Sequence, residues 1–118
     1  QEDKNGSMRS AAFGIVGLET SLPLIYTHLV ETGVLTLGQL VEKMCLNPAK
    51  ILGLESGTLQ EGHPADVIIV DTEQEYTIDK NKFVSKGHNT PFDGWKVKGK
   101  VLYTICDGKI VFENQEEK

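Results

Sequence analysis

The apolar pattern of this chain changes near Gly57, and that change constrains the fold more than any other feature. Before Gly57, apolar residues recur at the three- and four-residue spacing of one helix face. After it, β-branched residues occur in short runs or alternate with polar ones, as they do in strands. The sequence therefore predicts a helical half followed by a half built of strands, an order that by itself suggests an α+β domain.

The first predicted helix covers residues 21–32. Pro23 is tolerated in its first turn, where the missing N–H would have no partner within the helix. Gly33 is the expected C-terminal stop. The apolar face of this helix consists of Leu22, Ile25, Tyr26, Leu29 and Val30.

Two further helices are predicted before the change of pattern. Thr36 and Gln39 have the spacing of a capping box, which predicts the start of the second helix. Asn47 followed by Pro48 is typical of an N-cap and a first helical residue, so a separate short helix is predicted there, ending by Gly53. The apolar stripe of the second helix consists of Leu37, Leu40, Val41, Met44 and Cys45.

The second half is predicted to consist of short strands at residues 67–70, 76–78, 95–98, 101–106 and 109–112. The run at 67–70 is continuously apolar and β-branched, which is typical of a buried strand. Asp107 and Gly108 form the strongest two-residue signal for a hairpin turn. Residues 80–94 are predicted to be mostly loop.

Residues 11–20 form a glycine-containing stretch at the entrance to the first helix. Gly14 and Gly17 lie three apart in an apolar run, which indicates a backbone passing close to a neighbour that a side chain would obstruct. Glu19 and Thr20 follow and suit the first turn of a helix. The spacing alone leaves two interpretations open: a loop that meets a polar ligand with backbone donors, and a tightly packed turn.

Size and charge narrow the possible functions. A chain of 118 residues is one modest domain or a piece of a larger one, and 39% hydrophobic residues suffice for a core. A net charge of -5 argues against nucleic acid or an anionic membrane surface as partner, and no apolar run approaches the ~20 residues of a membrane span. Cys45 and Cys106 lie in apolar contexts, so buried, reduced thiols and a cytoplasmic location are expected.

The glycine-containing stretch also carries a family resemblance. Its sequence A-A-F-G-I-V-G-L-E-T-S-L-P-L resembles the segment of bacterial dihydroorotases that follows the last strand of their metal-binding barrel. Dihydroorotases belong to the amidohydrolase superfamily. The similarity continues in order through residues 47–50, 57–59, 65–66, 89–94 and 107–112, and thus covers nearly the whole chain.

The resemblance implies a different fold from a free-standing α+β domain. It implies the α/β class, with the C-terminal end of a metal-dependent, TIM-like (β/α)8 barrel joined to the C-terminal strands of a small β-sandwich. Residues 1–56 would be the last barrel loop and the C-terminal helices. Residues 57–118 would be the C-terminal part of the sandwich domain. The chain is therefore expected to be a C-terminal fragment of a longer enzyme.

The activity implied by the resemblance is the reversible cyclisation of N-carbamoyl-L-aspartate to L-dihydroorotate in pyrimidine biosynthesis. Phe13 and Gly14 match a pair that lines the substrate pocket in dihydroorotases, so both are expected to contact substrate. The implied cofactor is zinc, with ligands expected upstream of this chain, which alone should be inactive. The histidines His28, His63 and His88 include no His-x-His pair and are expected to be packing or solvated residues.

Alternatives remain within and outside this class. Another cyclic-amide hydrolase, an allantoinase or a hydantoinase, has a similar glycine stretch, but Phe13-Gly14 and residues 89–92 favour dihydroorotase. A non-catalytic scaffold for a carbamoyltransferase is the third possibility. The partners implied are a small-molecule substrate, the rest of the same enzyme, a second copy in a homodimer and aspartate carbamoyltransferase.

Four more residues have side chains whose chemistry suits a site or a structural role. Glu19 could accept hydrogen bonds behind the substrate loop or simply favour a helix start. Asp66 and Asp71 bracket a predicted strand and are expected to be turn or surface residues. Trp95 is expected to pack in the sandwich.

Overall fold

The computed structural model of the protein describes residues 14–114. Its helices are α1 (Ser21–Ile25), α2 (Leu37–Val41) and α3 (Asn47–Leu52), with π-helical turns at Tyr26–Val30 and Glu42–Leu46 and a 3₁₀ turn at Lys80–Lys82. Its strands are β1 (Val67–Asp71), β2 (Tyr76–Thr77), β3 (Lys96–Val97), β4 (Lys100–Cys106) and β5 (Lys109–Glu113). The described part is a small mixed α/β unit in which helices precede strands, as predicted. The domain boundary between residues 56 and 57 stays a prediction.

The first predicted helix is present and ends slightly early. α1 passes directly into the π-helical turn at Tyr26–Val30. Gly33 has a left-handed backbone with φ +77°, and its N–H donates to the carbonyl of Val30 at 3.0 Å. The glycine stop is confirmed, because this conformation ends a helix without the strain that a Cβ would add.

The capping box at the start of α2 is confirmed. The Gln39 N–H donates to Thr36 Oγ1 at 3.2 Å, and the Thr36 N–H donates to Gln39 Oε1 at 2.9 Å. Each residue thus satisfies a backbone donor that the helix itself leaves without a partner.

The prediction of a separate helix capped by Asn47 is wrong. α2, the π-helical turn and α3 follow one another without a break, and both Leu46 and Asn47 have right-handed helical backbones. The Asn47 N–H donates to the carbonyl of Glu42, five residues back. Pro48 has no N–H to donate, and its ring clashes with the preceding turn of a regular α-helix. The wider π-helical turn gives the chain a way to continue through the proline.

Three strands form an antiparallel sheet in the order β1-β4-β5. Val67 lies opposite Ile105, and Cys106 lies opposite Lys109. The hairpin predicted between β4 and β5 is therefore confirmed.

The hairpin turn is held from outside by the residues before β1. Asp107 and Gly108 both have positive φ, at 48° and 74°, as a tight primed turn requires. The Asp66 carboxylate accepts from the Asp107 N–H at 2.9 Å, and the Ala65 carbonyl accepts from the Gly108 N–H at 3.1 Å. Asp66 is thus a turn residue, as the sequence predicted.

A second, two-stranded sheet holds part of the small core. In this sheet Tyr76 of β2 lies opposite Val97 of β3. Next to it, the Ile78 N–H donates to the Trp95 carbonyl at 2.9 Å. Among the described residues, the buried apolar side chains are Pro23, Leu40, Ala49, Ile78 and Val97.

The helical half contacts the strands through the turn between β3 and β4. The Lys98 N–H donates to Thr27 Oγ1 at 2.9 Å, and Lys98 Nζ lies 2.8 Å from a Glu31 carboxylate oxygen. At Gly99 (φ +91°) an added Cβ would lie 3.3 Å from the Cβ of Tyr26. The glycine therefore permits a close approach of this turn to the first helix.

Three predictions of burial are wrong within residues 14–114. Ile68 and Ile69, on the edge strand β1 of the described sheet, are 47% and 46% exposed rather than buried. Cys45 and Cys106 are free, as expected, but exposed rather than buried. Trp95, at 44% exposed, does not fill a sandwich interior.

Trp95 instead packs edge-on against two aromatic rings outside the sheets. Its ring centroid lies 5.4 Å from that of His28 and 5.2 Å from that of Phe92. These contacts link the first helix to the long loop before β3.

In the part of the chain that the structure describes, no helix is long and apolar enough to cross a membrane.

Candidate functional site

Residues 13–17 are called the substrate loop after the substrate contact that the resemblance implies for Phe13 and Gly14. The structure describes this loop from Gly14 onward, and Phe13 lies outside the described residues. Gly14 is exposed and has a left-handed backbone with φ +70°. Among residues 14–114, no heavy atom would lie within 4 Å of a Cβ added there. Within this part of the chain the requirement for glycine is therefore conformational, because a positive φ strains a residue that carries a Cβ.

Asn89 contacts the substrate loop at two points. Its side-chain Nδ2 donates to the Gly14 carbonyl at 2.8 Å. Its backbone carbonyl accepts from the Val16 N–H, also at 2.8 Å. The side-chain bond joins residues 75 positions apart in the sequence, and the backbone bond adds a second long-range link to the same loop.

Glu19 anchors the same long loop to the entrance of α1. Its two carboxylate oxygens accept from the Val84 N–H at 2.9 Å, the Ser85 N–H at 3.0 Å and the Ser85 hydroxyl at 2.6 Å. Partial burial, the largest single influence, raises the pKa of Glu19, but the bonds from Ser85 and Val84 and the nearby His88 together lower the pKa below its ordinary value. Of the two alternatives for Glu19, the structure supports the hydrogen-bond acceptor.

The long loop is also fixed within itself. The Lys80 N–H donates to Asp93 Oδ1 at 3.0 Å, and the Lys80 carbonyl lies 2.6 Å from His88 Nδ1. These hydrogen bonds join distant residues of the long loop, so Asn89 lies in a loop whose conformation is restrained.

The described residues do not fit a zinc site. His63 Nδ1 lies 2.8 Å from the Glu55 carbonyl, and His88 Nδ1 contacts the Lys80 carbonyl, so both rings hold backbone segments in place. His28 packs against the indole described above. No group of three or more His, Cys, Asp or Glu residues gathers anywhere between residues 14 and 114.

Asp71, the second candidate aspartate, also has a structural role. Asp71 Oδ1 accepts from the N–H groups of Glu73 and Gln74 at 2.8 and 3.1 Å, which closes the turn after β1. Both bonds favour the charged form and lower the pKa of Asp71. The expectation that Asp71 is a turn residue is confirmed.

Comparison with known proteins identifies the family. The sequence model of the Amidohydrolase family matches residues 2–111. This chain belongs to the Amidohydrolase family. The match covers almost the whole chain, so both the helical and the strand-forming halves of this amidohydrolase chain are included.

The curated relatives carry a more specific name. The chain is 52% identical over 110 residues to a dihydroorotase from Acetivibrio thermocellus, covering 93% of this chain and 26% of the relative. It is 53% identical over 114 residues to a dihydroorotase from Brevibacillus brevis, covering 97% and 27%. The resemblance to dihydroorotases predicted from the motifs is confirmed. The chain spans about a quarter of the length of these relatives.

Solved structures similar to this amidohydrolase chain carry other names. L-Hydantoinase (dihydropyrimidinase) from Arthrobacter aurescens matches with a TM-score of 0.85 and 41% identity, covering 93% of this chain and 25% of that one. Dihydropyrimidinase from Brevibacillus agri matches with a TM-score of 0.76 and 26% identity, covering 80% and 21%. The described fold thus recurs within enzymes named for cyclic-amide substrates.

Proposed function

We propose that the protein carrying this chain is a dihydroorotase, which interconverts N-carbamoyl-L-aspartate and L-dihydroorotate. The observation that carries the proposal is the identity of about one half to relatives named dihydroorotase, over nearly the whole chain. The helices would belong to the end of the enzyme's barrel, and the strands to its small sandwich. The partner that this proposal requires is a small-molecule substrate.

Within that enzyme, Phe13 and Gly14 are proposed to contact the substrate. The left-handed backbone of Gly14 supports this assignment, and so does the lack of a described atom within 4 Å of an added Cβ. A backbone without a Cβ can approach a carboxylate or ring carbonyl closely. The two contacts from Asn89 support it further, since a binding loop works best when held in one conformation.

Zinc is the cofactor proposed for the whole enzyme. Because the described residues lack a set of ligands, the metal would be held by residues outside 14–114. The contribution of residues 14–114 would be to bind and orient the substrate. Association with a carbamoyltransferase stays a prediction.

Hydantoinase or dihydropyrimidinase activity is the second candidate. Its support is the structural match at 41% identity to an enzyme named L-hydantoinase. The ring substrates differ in the carboxylate that dihydroorotate carries, so selectivity among them separates the two candidates.

A substrate panel tests the proposal on the intact, metal-loaded protein. We expect kcat/KM for dihydroorotate to exceed that for hydantoin, dihydrouracil and allantoin by on the order of a hundredfold or more, because a site built to pair a carboxylate rejects rings that lack one. Higher turnover of hydantoin or dihydrouracil would favour the second candidate. No turnover of any ring would indicate a non-catalytic scaffold.

A further inference from the structure

We propose that Asn89 is a positioning residue that holds the substrate loop in its binding conformation. This inference rests on the proposed function, because it takes the loop at Gly14 to contact substrate. It adds a residue from a distant part of the chain whose side chain acts through the loop and not on the substrate itself.

The two hydrogen bonds of Asn89 lie on either side of Ile15. The side chain holds the carbonyl of Gly14, and the backbone carbonyl holds the N–H of Val16, each at 2.8 Å. With the peptide groups on both sides fixed, the backbone between Gly14 and Val16 cannot rotate without breaking a hydrogen bond. A single bond would leave one of these peptides free to turn.

The loop needs such a constraint because of its glycine. Gly14 adopts left-handed and right-handed conformations with similar ease, and no described atom packs close to its Cα on the side where a Cβ would lie. Holding one conformation therefore costs conformational entropy, and packing of the described residues around Gly14 does not offset it. The amide of Asn89 supplies a directed donor for the Gly14 carbonyl.

Asn89 can do this only if its own position is fixed. The segment before it is held by Glu19, whose carboxylate accepts three hydrogen bonds from Val84 and Ser85. The imidazole of His88 adds a contact to the Lys80 carbonyl. The long loop before β3 is thus hydrogen-bonded both to Glu19, just before α1, and to the substrate loop. Both ends of residues 14–19 are therefore held by this one loop.

The test uses two variants and a matched control in the intact protein. Asn89→Ala removes the side-chain donor and keeps the backbone acceptor, whereas Asn89→Asp keeps the shape and turns an acceptor toward the Gly14 carbonyl. Asn81→Ala is the control, because the Asn81 side chain contacts Asp79 within its own turn. If the alanine variant fails to fold, Asn89→Asp still tests the proposal, because it keeps the size of the side chain.

The first readout is independent of activity. Hydrogen–deuterium exchange of a peptide covering residues 14–18 should become several-fold to about tenfold faster in both Asn89 variants and stay unchanged in Asn81→Ala, because a lost hydrogen bond lowers the cost of local opening. Exchange that is unchanged in both Asn89 variants would overturn the proposal.

The second readout separates the inference from the proposed function. We expect KM for dihydroorotate to rise about three- to tenfold in Asn89→Ala and more in Asn89→Asp, with kcat changed less than about twofold, because the loop contributes binding common to substrate and transition state. Gly14→Val should raise KM as well. If Gly14→Val raises KM and the Asn89 variants do not, the positioning role is wrong. If exchange accelerates but none of the three variants alters KM, the substrate loop itself is misassigned.

Discussion

Replacing Gly57 with valine is expected to destabilise the protein by about 3 kcal/mol or more, the scale of backbone strain combined with overpacking. Gly57 has φ +83°, and an added Cβ would lie 3.0 Å from the carbonyl oxygen of Cys45 and 3.1 Å from the Cβ of Ala49. The first of these atoms is backbone within a helix, so it cannot move aside cheaply. The substitution would push the segment after α3 away from the helix on which it packs.

Gly62→Val is the matched control for this effect. Gly62 has a similar φ of +88°, but no heavy atom of the described residues lies within 4 Å of its added Cβ. It should therefore suffer the conformational strain alone, on the order of 1–2 kcal/mol. In thermal unfolding of the intact protein, the melting temperature should fall further for Gly57→Val than for Gly62→Val. Equal shifts would mean that the close packing at Gly57 contributes nothing.

The 118-residue chain purified alone is expected to self-associate. Its three-stranded sheet has β1 and β5 as edges, and large apolar side chains on both strands are exposed. Those side chains are Ile68, Ile69, Ile110, Val111 and Phe112. Open edges with apolar side chains recruit further strands, and a net charge of -5 is a weak barrier to that pairing.

Light scattering over a range of concentrations measures this directly. Ile110→Lys is the informative variant, because Ile110 is 62% exposed on β5 and a lysine on an edge strand opposes pairing. The average mass should exceed that of a monomer for the wild-type chain and decrease for the variant. A monomer of 13.0 kDa at every concentration, with cooperative unfolding, would mean that these residues form a self-sufficient domain.

Sequence reasoning succeeded where the determining contacts are local. The capping box joins Thr36 and Gln39, three residues apart, and the hairpin turn needs only the left-handed tolerance of Asp107 and Gly108. Gly33 ends its helix through its own φ. Such signals depend on neighbours along the chain, so they can be read without knowledge of the packing.

The errors concern features that tertiary structure decides. Asn47 and Pro48 satisfy the local rule for a helix start, yet the π-helical turn lets the preceding helix continue through them. The apolar run of β1 resembles that of a buried strand, but its neighbours in the described residues leave it half exposed. Trp95 could be predicted to pack, although the rings it would meet could not be.

In the candidate site, too, local features could be predicted from the sequence and long-range contacts could not. The glycine at position 14 was identified from its motif, and its left-handed backbone agrees with the need for glycine there. The bonds from Glu19 to Ser85 and from Asn89 to Gly14 join residues 66 and 75 positions apart. Rules based on sequence spacing concern residues a few positions apart, so they could not predict these two contacts. The motif at residues 89–92 marked Asn89 as part of the family pattern but gave it no role.

A structure of the intact protein with dihydroorotate bound would show whether this chain supplies the substrate loop. We expect substrate atoms within about 4 Å of Phe13 and Gly14, the range of van der Waals contact, with a polar substrate atom at hydrogen-bond distance from the loop backbone. The bonds from Asn89 to Gly14 and Val16 should persist in that complex. Substrate bound with both Phe13 and Gly14 beyond contact distance would contradict the account.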